Sequence, residues 1–226
     1  MSYSPTPCND RCSTVRGLAL SILTLWLAGC SAMQPVRVLP EGTTAITGSL
    51  GGPVGIAASP LGFVPYTTVG VAHGLSEAVT VHGNAHLLMA AFGVVGLDAG
   101  ASFRLLRQDG TMPEVTASVG GLLFSDVVNT SGTRLYPNAS VNLSWDLGRA
   151  WLGYVGTHTT LQPSDTRLYV SPMMGVVMPL SSAWSLQLET IWQAANVDTR
   201  KGIFEGQSSI SGAGSFGVFI GAQVKL

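Results

Sequence analysis

The stretch "TVHGNAH", Thr80 to His86, sets His82, Asn84 and His86 at every second position. On an extended chain that spacing puts two imidazoles and an amide on one face. Imidazole nitrogens are metal ligands, yet residues four apart on a strand lie about 13 Å apart, too far for one ion. A chelate would need ligands from neighbouring strands, so hydrogen bonding inside a closed structure is the better use of these side chains. Hydrolytic chemistry has other candidates: His158 as a base near Ser164 or Asp165, and His73 beside a turn. None of them sits in a diagnostic arrangement. There is no Gly-x-Ser-x-Gly elbow, and no Gly-rich phosphate loop leads from a strand into a helix. The expectation is a protein that is not an enzyme and holds no metal. Three cysteines, Cys8, Cys12 and Cys30, complete the reactive side chains.

Cys30 closes the tetrapeptide Leu27-Ala28-Gly29-Cys30, at the end of the apolar run "GLALSILTLWLAG" that follows Arg11 and Arg16. A basic lead and an apolar run of this length have the form of a signal peptide. The run is shorter than the roughly 20 apolar residues a membrane-spanning helix needs. A chance cysteine after an ordinary signal peptide, or a buried helix, is the plainer alternative. The tetrapeptide resembles the lipobox of bacterial lipoproteins. That resemblance implies cleavage before Cys30 by lipoprotein-processing enzymes, a diacylglycerol on its sulfur and an acyl chain on the new N-terminus. Ser31 in the second place, rather than Asp, implies export to the outer membrane. Cys8 and Cys12 would leave with the leader, and lipid would occupy the remaining thiol, which suits an oxidising compartment. The expected organisation is a removed leader over 1–29, a lipidated N-terminus and periplasmic linker over 30–42, and a β-barrel over 43–226. No cofactor is expected beyond the lipid chains on Cys30.

The elements that must position these residues are strands. Only 10% of the 226 residues are charged, against roughly 25% in a soluble domain. The 28 glycines and a mean hydropathy of +0.37 point the same way, toward lipid contact. A net charge of −1 gives no footing for nucleic acid or for a polybasic membrane patch. From Thr43 onward the apolar period is two. Val95, Leu97, Ala99, Ala101, Phe103 and Leu105 alternate with Gly96, Asp98, Gly100, Ser102 and Arg104. Segments 114–124, 134–146 and 184–193 repeat the design, each close to the ten or so residues of a tilted membrane-crossing strand. Segment 150–161 leaves its facing open: Trp151, Val155 and Thr157, or Leu152, Tyr154 and His158, could form its outer side.

Short turns near 74–77, 107–110, 146–149 and 180–183 fall on every second connection, with mostly longer links between them. This spacing predicts an all-β, antiparallel up-and-down transmembrane barrel of about ten strands, with eight the alternative count. An even count puts both termini on the short-turn side, the periplasm. The polar faces carry Gly, Ser, Thr and Asn with scattered charges, which suits a crowded lumen better than a water-exposed surface. Asp98, Arg104, Glu114, Arg134, Arg167 and Glu189 are the expected lumen network, pairing across the barrel. Trp145, Trp151 and Trp184 near the short turns suit an interfacial girdle. The last strand, with Gly221, Val224 and Leu226, resembles the closing strand that the barrel-assembly machinery recognises in outer-membrane proteins. It departs from that pattern at Phe219 and Leu226.

The function expected is a structural or interaction role for a monomer among outer-membrane lipids, with its lumen mostly plugged. A lipid-anchored periplasmic lipocalin-like barrel, with its apolar face turned inward around a ligand, is the alternative. A narrow pore or a lipid-modifying barrel enzyme ranks below both.

Overall fold

A flat sheet of alternating strands leaves two unpaired edges, and closing it into a barrel removes them and separates its two faces into an outside and a lumen. The computed structural model describes residues 34–54, 66–91, 93–128, 132–148, 150–164, 166–198 and 213–226. Cys30, its leader and Asp165 therefore lie outside the described residues. The strands are β1 (Thr44–Pro53), β2 (Tyr66–Ser76), β3 (Val79–His86), β4 (Val94–Leu106) and β5 (Glu114–Asp126), followed by β6 (Gly132–Asp146), β7 (Leu152–Gln162), β8 (Arg167–Pro179), β9 (Trp184–Asp198) and β10 (Ala213–Lys225). One short helix, α1 (Leu87–Ala91), sits in the β3–β4 link. Each strand pairs antiparallel with its neighbours in sequence, and β1 closes on β10. The count is ten, and the barrel is closed.

Following the pairing from Pro53 around all ten strands returns to β1 about 12 residues away, a stagger that tilts the strands by about 40°. The turns β2–β3, β4–β5, β6–β7 and β8–β9 share one end with the start of β1 and the end of β10, and the other five links share the opposite end.

Register fixes every facing. Val95, Leu97, Phe103 and Leu105 are exposed on the outside of β4, while Asp98 and Ser102 are buried in the lumen. On β10, Val218 and Ile220 point out and Phe219 points in. The ambiguous strand is β7. His158 pairs across to Ser140 on one side and Ser171 on the other, both buried, so Tyr154, His158 and Thr160 face inward and Val155 faces out. The apolar faces thus point away from the lumen, the reverse of the lipocalin-like alternative, and that reading is corrected here.

The interior is filled in layers. Toward the long-link end, Tyr66, Met89, Val94, Leu122, Phe124, Tyr136, Ile191 and Phe219 form an apolar cluster. Small polar residues line the middle, where a β-carbon on Gly120 would come within 2.5 Å of the Ala99 carbonyl oxygen. Only glycine lets the strands β4 and β5 carry a neighbour's backbone so close. At the short-turn end lie residues 34–40, with Val36, Val38 and Leu39 buried. The described part of segment 30–42, expected as a linker, is packed into the barrel mouth.

Candidate functional site in the barrel lumen

The N-terminal segment enters the lumen because its side chains alternate between apolar contacts and one strong polar key. The backbone N–H of Leu39 donates to the buried Thr80 Oγ1 at 2.7 Å, tying the segment to β3. Across the lumen, Arg37 meets β6 and the β4–β5 turn. Its guanidinium donates to Ser144 Oγ at 2.9 Å, Asp146 Oδ1 at 2.9 Å and Gln108 Oε1 at 2.5 Å. Glu114 lies 3.8 Å from the same guanidinium and 3.4 Å from that of Arg104. Arg104 in turn reaches Glu77, and so does Arg107. Beyond Arg37, Gln34 and Pro35 line a small recess with Thr47, Ser185, Gln187 and Gln223 on the far wall. Gln34 also accepts from Ser140 Oγ on β6 at 3.5 Å, so the segment fills the space between β6 and the far wall.

Deeper in, Asp98 accepts from Asn84 Nδ2 at 2.7 Å and lies 2.9 Å from His86 Nε2. The other ring nitrogen of His86 bonds the Tyr66 hydroxyl. His86 also stands edge-on to Phe124, which stands edge-on to Tyr136, so the polar chain runs into the aromatic cluster. On the opposite wall the Tyr154 hydroxyl donates to Glu189 at 2.8 Å and accepts from Gln187 at 2.8 Å. Each group satisfies a buried polar partner, as a low-dielectric interior demands.

Of the six charges expected to pair across the lumen, Asp98, Arg104, Glu114 and Glu189 are inside it, but in three separate clusters. Arg134 and Arg167 sit exposed at the long-link rim. Asp98 and Arg104 stand six residues apart along β4, about 20 Å on an extended strand, and Glu189 lies across the barrel on β9. His82 faces the lumen as its spacing requires, and its Nδ1 lacks a hydrogen-bond partner among the described residues. No group of three His, Cys, Asp or Glu side chains among the described residues is placed to hold a metal.

The hydrolytic candidates are not brought together. His158 is buried and bonds Thr160 at 3.1 Å, whereas Ser164 is exposed and bonds Gln162. His73 lies beside Thr44, 2.8 Å away, on the outer side of the barrel. Sequence reasoning missed Arg37, Tyr66 and Tyr154. The one signal for Arg37 was a lone cation between two apolar residues, in a segment flanked by Pro35 and Pro40. That pattern also fits an exposed linker.

No family model matches the chain, and no curated protein matches it in sequence. Several solved structures are similar in outline. An outer membrane channel from Pseudomonas putida F1 is 9% identical, covers 86% of this chain and all of its own, and superposes with a TM-score of 0.48. The translocator domain of the autotransporter NalP from Neisseria meningitidis is 9% identical, covering 95% of this chain and 96% of its own at a TM-score of 0.44. A de novo designed transmembrane β-barrel is 12% identical, covering 84% of this chain and 100% of its own at 0.37. At such identities none of them assigns an activity to this chain.

Proposed function

We propose that the chain is an outer-membrane β-barrel lipoprotein with a structural or interaction role, its lumen closed by its own residues. One observation carries this reading: the outward strand faces form an apolar belt around a closed barrel. Val119 is 53% exposed and Ile220 50%, while their lumen-facing neighbours Ser118 and Phe219 are buried. An apolar surface of that extent is costly in water and stable against hydrocarbon, and a closed barrel leaves no unpaired edge there. Trp145, Trp151 and Trp184, at the short-turn end of the outer surface, suit the headgroup level. The leader ending in Cys30 supports the outer membrane as the site and a lipid on that sulfur in the inner leaflet. Both termini and the short turns would then be periplasmic, and the long links would present the outer surface to partners.

Membrane fractionation with labelled palmitate tests the placement. Wild-type chain should take label and show heat-modifiable gel mobility in the outer-membrane fraction, and Cys30→Ala should lose the label while keeping the mobility shift. Label retained in Cys30→Ala removes the lipoprotein reading; a soluble wild-type chain removes the barrel's membrane placement. In planar bilayers the same protein should show negligible conductance, and steady nanosiemens steps would favour a pore instead.

A further inference from the structure

We propose that the short-turn mouth of the barrel is a binding seat for a short arginine-bearing peptide, filled in this chain by its own Gln34–Pro40. The seat is built on the wall. Glu114 opens β5, Ser144 and Asp146 end β6, and Gln108 comes from the turn between β4 and β5. Ser144, Asp146 and Gln108 meet Nε, Nη1 and Nη2 of one guanidinium separately, a spread of acceptors that a guanidinium satisfies and a single ammonium does not. Glu114 is buried, with Oε2 3.8 Å from the Arg37 guanidinium and Oε1 3.4 Å from that of Arg104, so the seat presents a buried carboxylate to the cation that fills it.

Charge points to the same ligand. The linked ion pairs join Glu77 to Arg104 and Arg107, and Glu114 to Arg104, while Arg37 pairs with both Glu114 and Asp146 and is the third cation that balances the three carboxylates. Without Arg37 a buried carboxylate would keep only the flank of Arg104, and buried charge is tolerated only when paired. Apolar positions on either side of the key, Val36 and Val38, are buried in the mouth, so the seat selects an arginine between apolar residues. A periplasmic segment of that chemistry could take the seat once the chain's own segment withdraws. This inference does not depend on the lipid at Cys30.

The test uses the full chain refolded in detergent micelles and a fluorescent, capped peptide of the segment's own sequence, Gln-Pro-Val-Arg-Val-Leu-Pro. Arg37 supplies the cation that pairs with the buried Glu114, so Arg37→Ala should loosen the chain's own segment and bind the peptide at least about 10-fold more tightly than the wild-type chain does. Adding Glu114→Gln should remove the gain, and a peptide with Ala in place of Arg should never show it. Equal binding by wild type and Arg37→Ala, or binding indifferent to the peptide's arginine, overturns the proposal.

A second measurement stays independent of how well Arg37→Ala folds. Thr116 is buried one inward position beyond Glu114 on β5. In a chain carrying Thr116→Cys, with Cys8, Cys12 and Cys30 changed to Ser, millimolar argininamide should compete for the seat. Labelling by a charged thiol reagent should then accelerate several-fold over an equal concentration of lysinamide. An unchanged labelling rate overturns the proposal.

Discussion

At the scale of single residues, Asp98 organises the buried centre. It is the common acceptor for Asn84 and His86, and the His86 and Asp98 side chains are 0% and 4% exposed. Replacing it with Ala would leave a buried amide and a buried imidazole facing a void. Each unsatisfied buried group costs about 1–3 kcal/mol, so Asp98→Ala should lower barrel stability by about 2–4 kcal/mol. Asp98→Asn keeps the shape and one carbonyl acceptor, and should lose about half as much. Urea unfolding of the barrel in lipid vesicles reads both, and equal losses for the two variants would show that packing, not hydrogen bonding, is at stake. His82 and His158 share the same lumen, but neither has Asp98's two bonded partners.

At the scale of elements, the β8–β9 seam departs from a regular ladder. Backbone pairing stops at Met173↔Ile191, although β8 begins at Arg167 and β9 continues to Asp198. Ala194 turns into the left-handed region at φ 49°, and its N–H is taken by Ser171 Oγ at 3.0 Å. Beyond it, the Asn196 side chain accepts from the Val170 N–H at 2.9 Å and donates to the Leu168 carbonyl at 2.7 Å. A side-chain amide thus stands in for a missing peptide unit and keeps the seam closed. Asn196→Ala should speed hydrogen exchange at the Val170 amide by about 5–10-fold, the equivalent of about 1 kcal/mol of hydrogen bond. The Gly175 amide, inside the regular ladder, should not change. Acceleration at both amides would mean that the whole strand pair opens together. Nothing in the alternating pattern of β9 announces this device, since an Asn near a strand end reads as a turn residue.

At the scale of the whole molecule, the period of two was enough to give the barrel, its strand count and the outward faces of β4, β5, β6, β9 and β10. Where side chains serve either face, as with Gly, Thr, Tyr and His in β7, only the pairing partners Ser140 and Ser171 settled the facing. The occupant of the mouth was illegible for a different reason: Arg37 acquires its meaning from Asp146, 109 residues away, and no local spacing encodes that contact. What remains to be tested at this scale is the solvent of the belt. Val119 stands at the middle of β5 and points outward, whereas Leu147 is somewhat more exposed and lies in a short turn. If hydrocarbon surrounds the barrel, Val119→Arg should cost about 2–4 kcal/mol and Leu147→Arg about 0–1 kcal/mol, because the penalty for a cation falls steeply from the bilayer midplane to its interface. If water surrounds it, both substitutions should be nearly neutral. Unfolding midpoints of the two variants, measured side by side in vesicles, separate these cases, and a tolerated Val119→Arg would take the barrel out of the membrane.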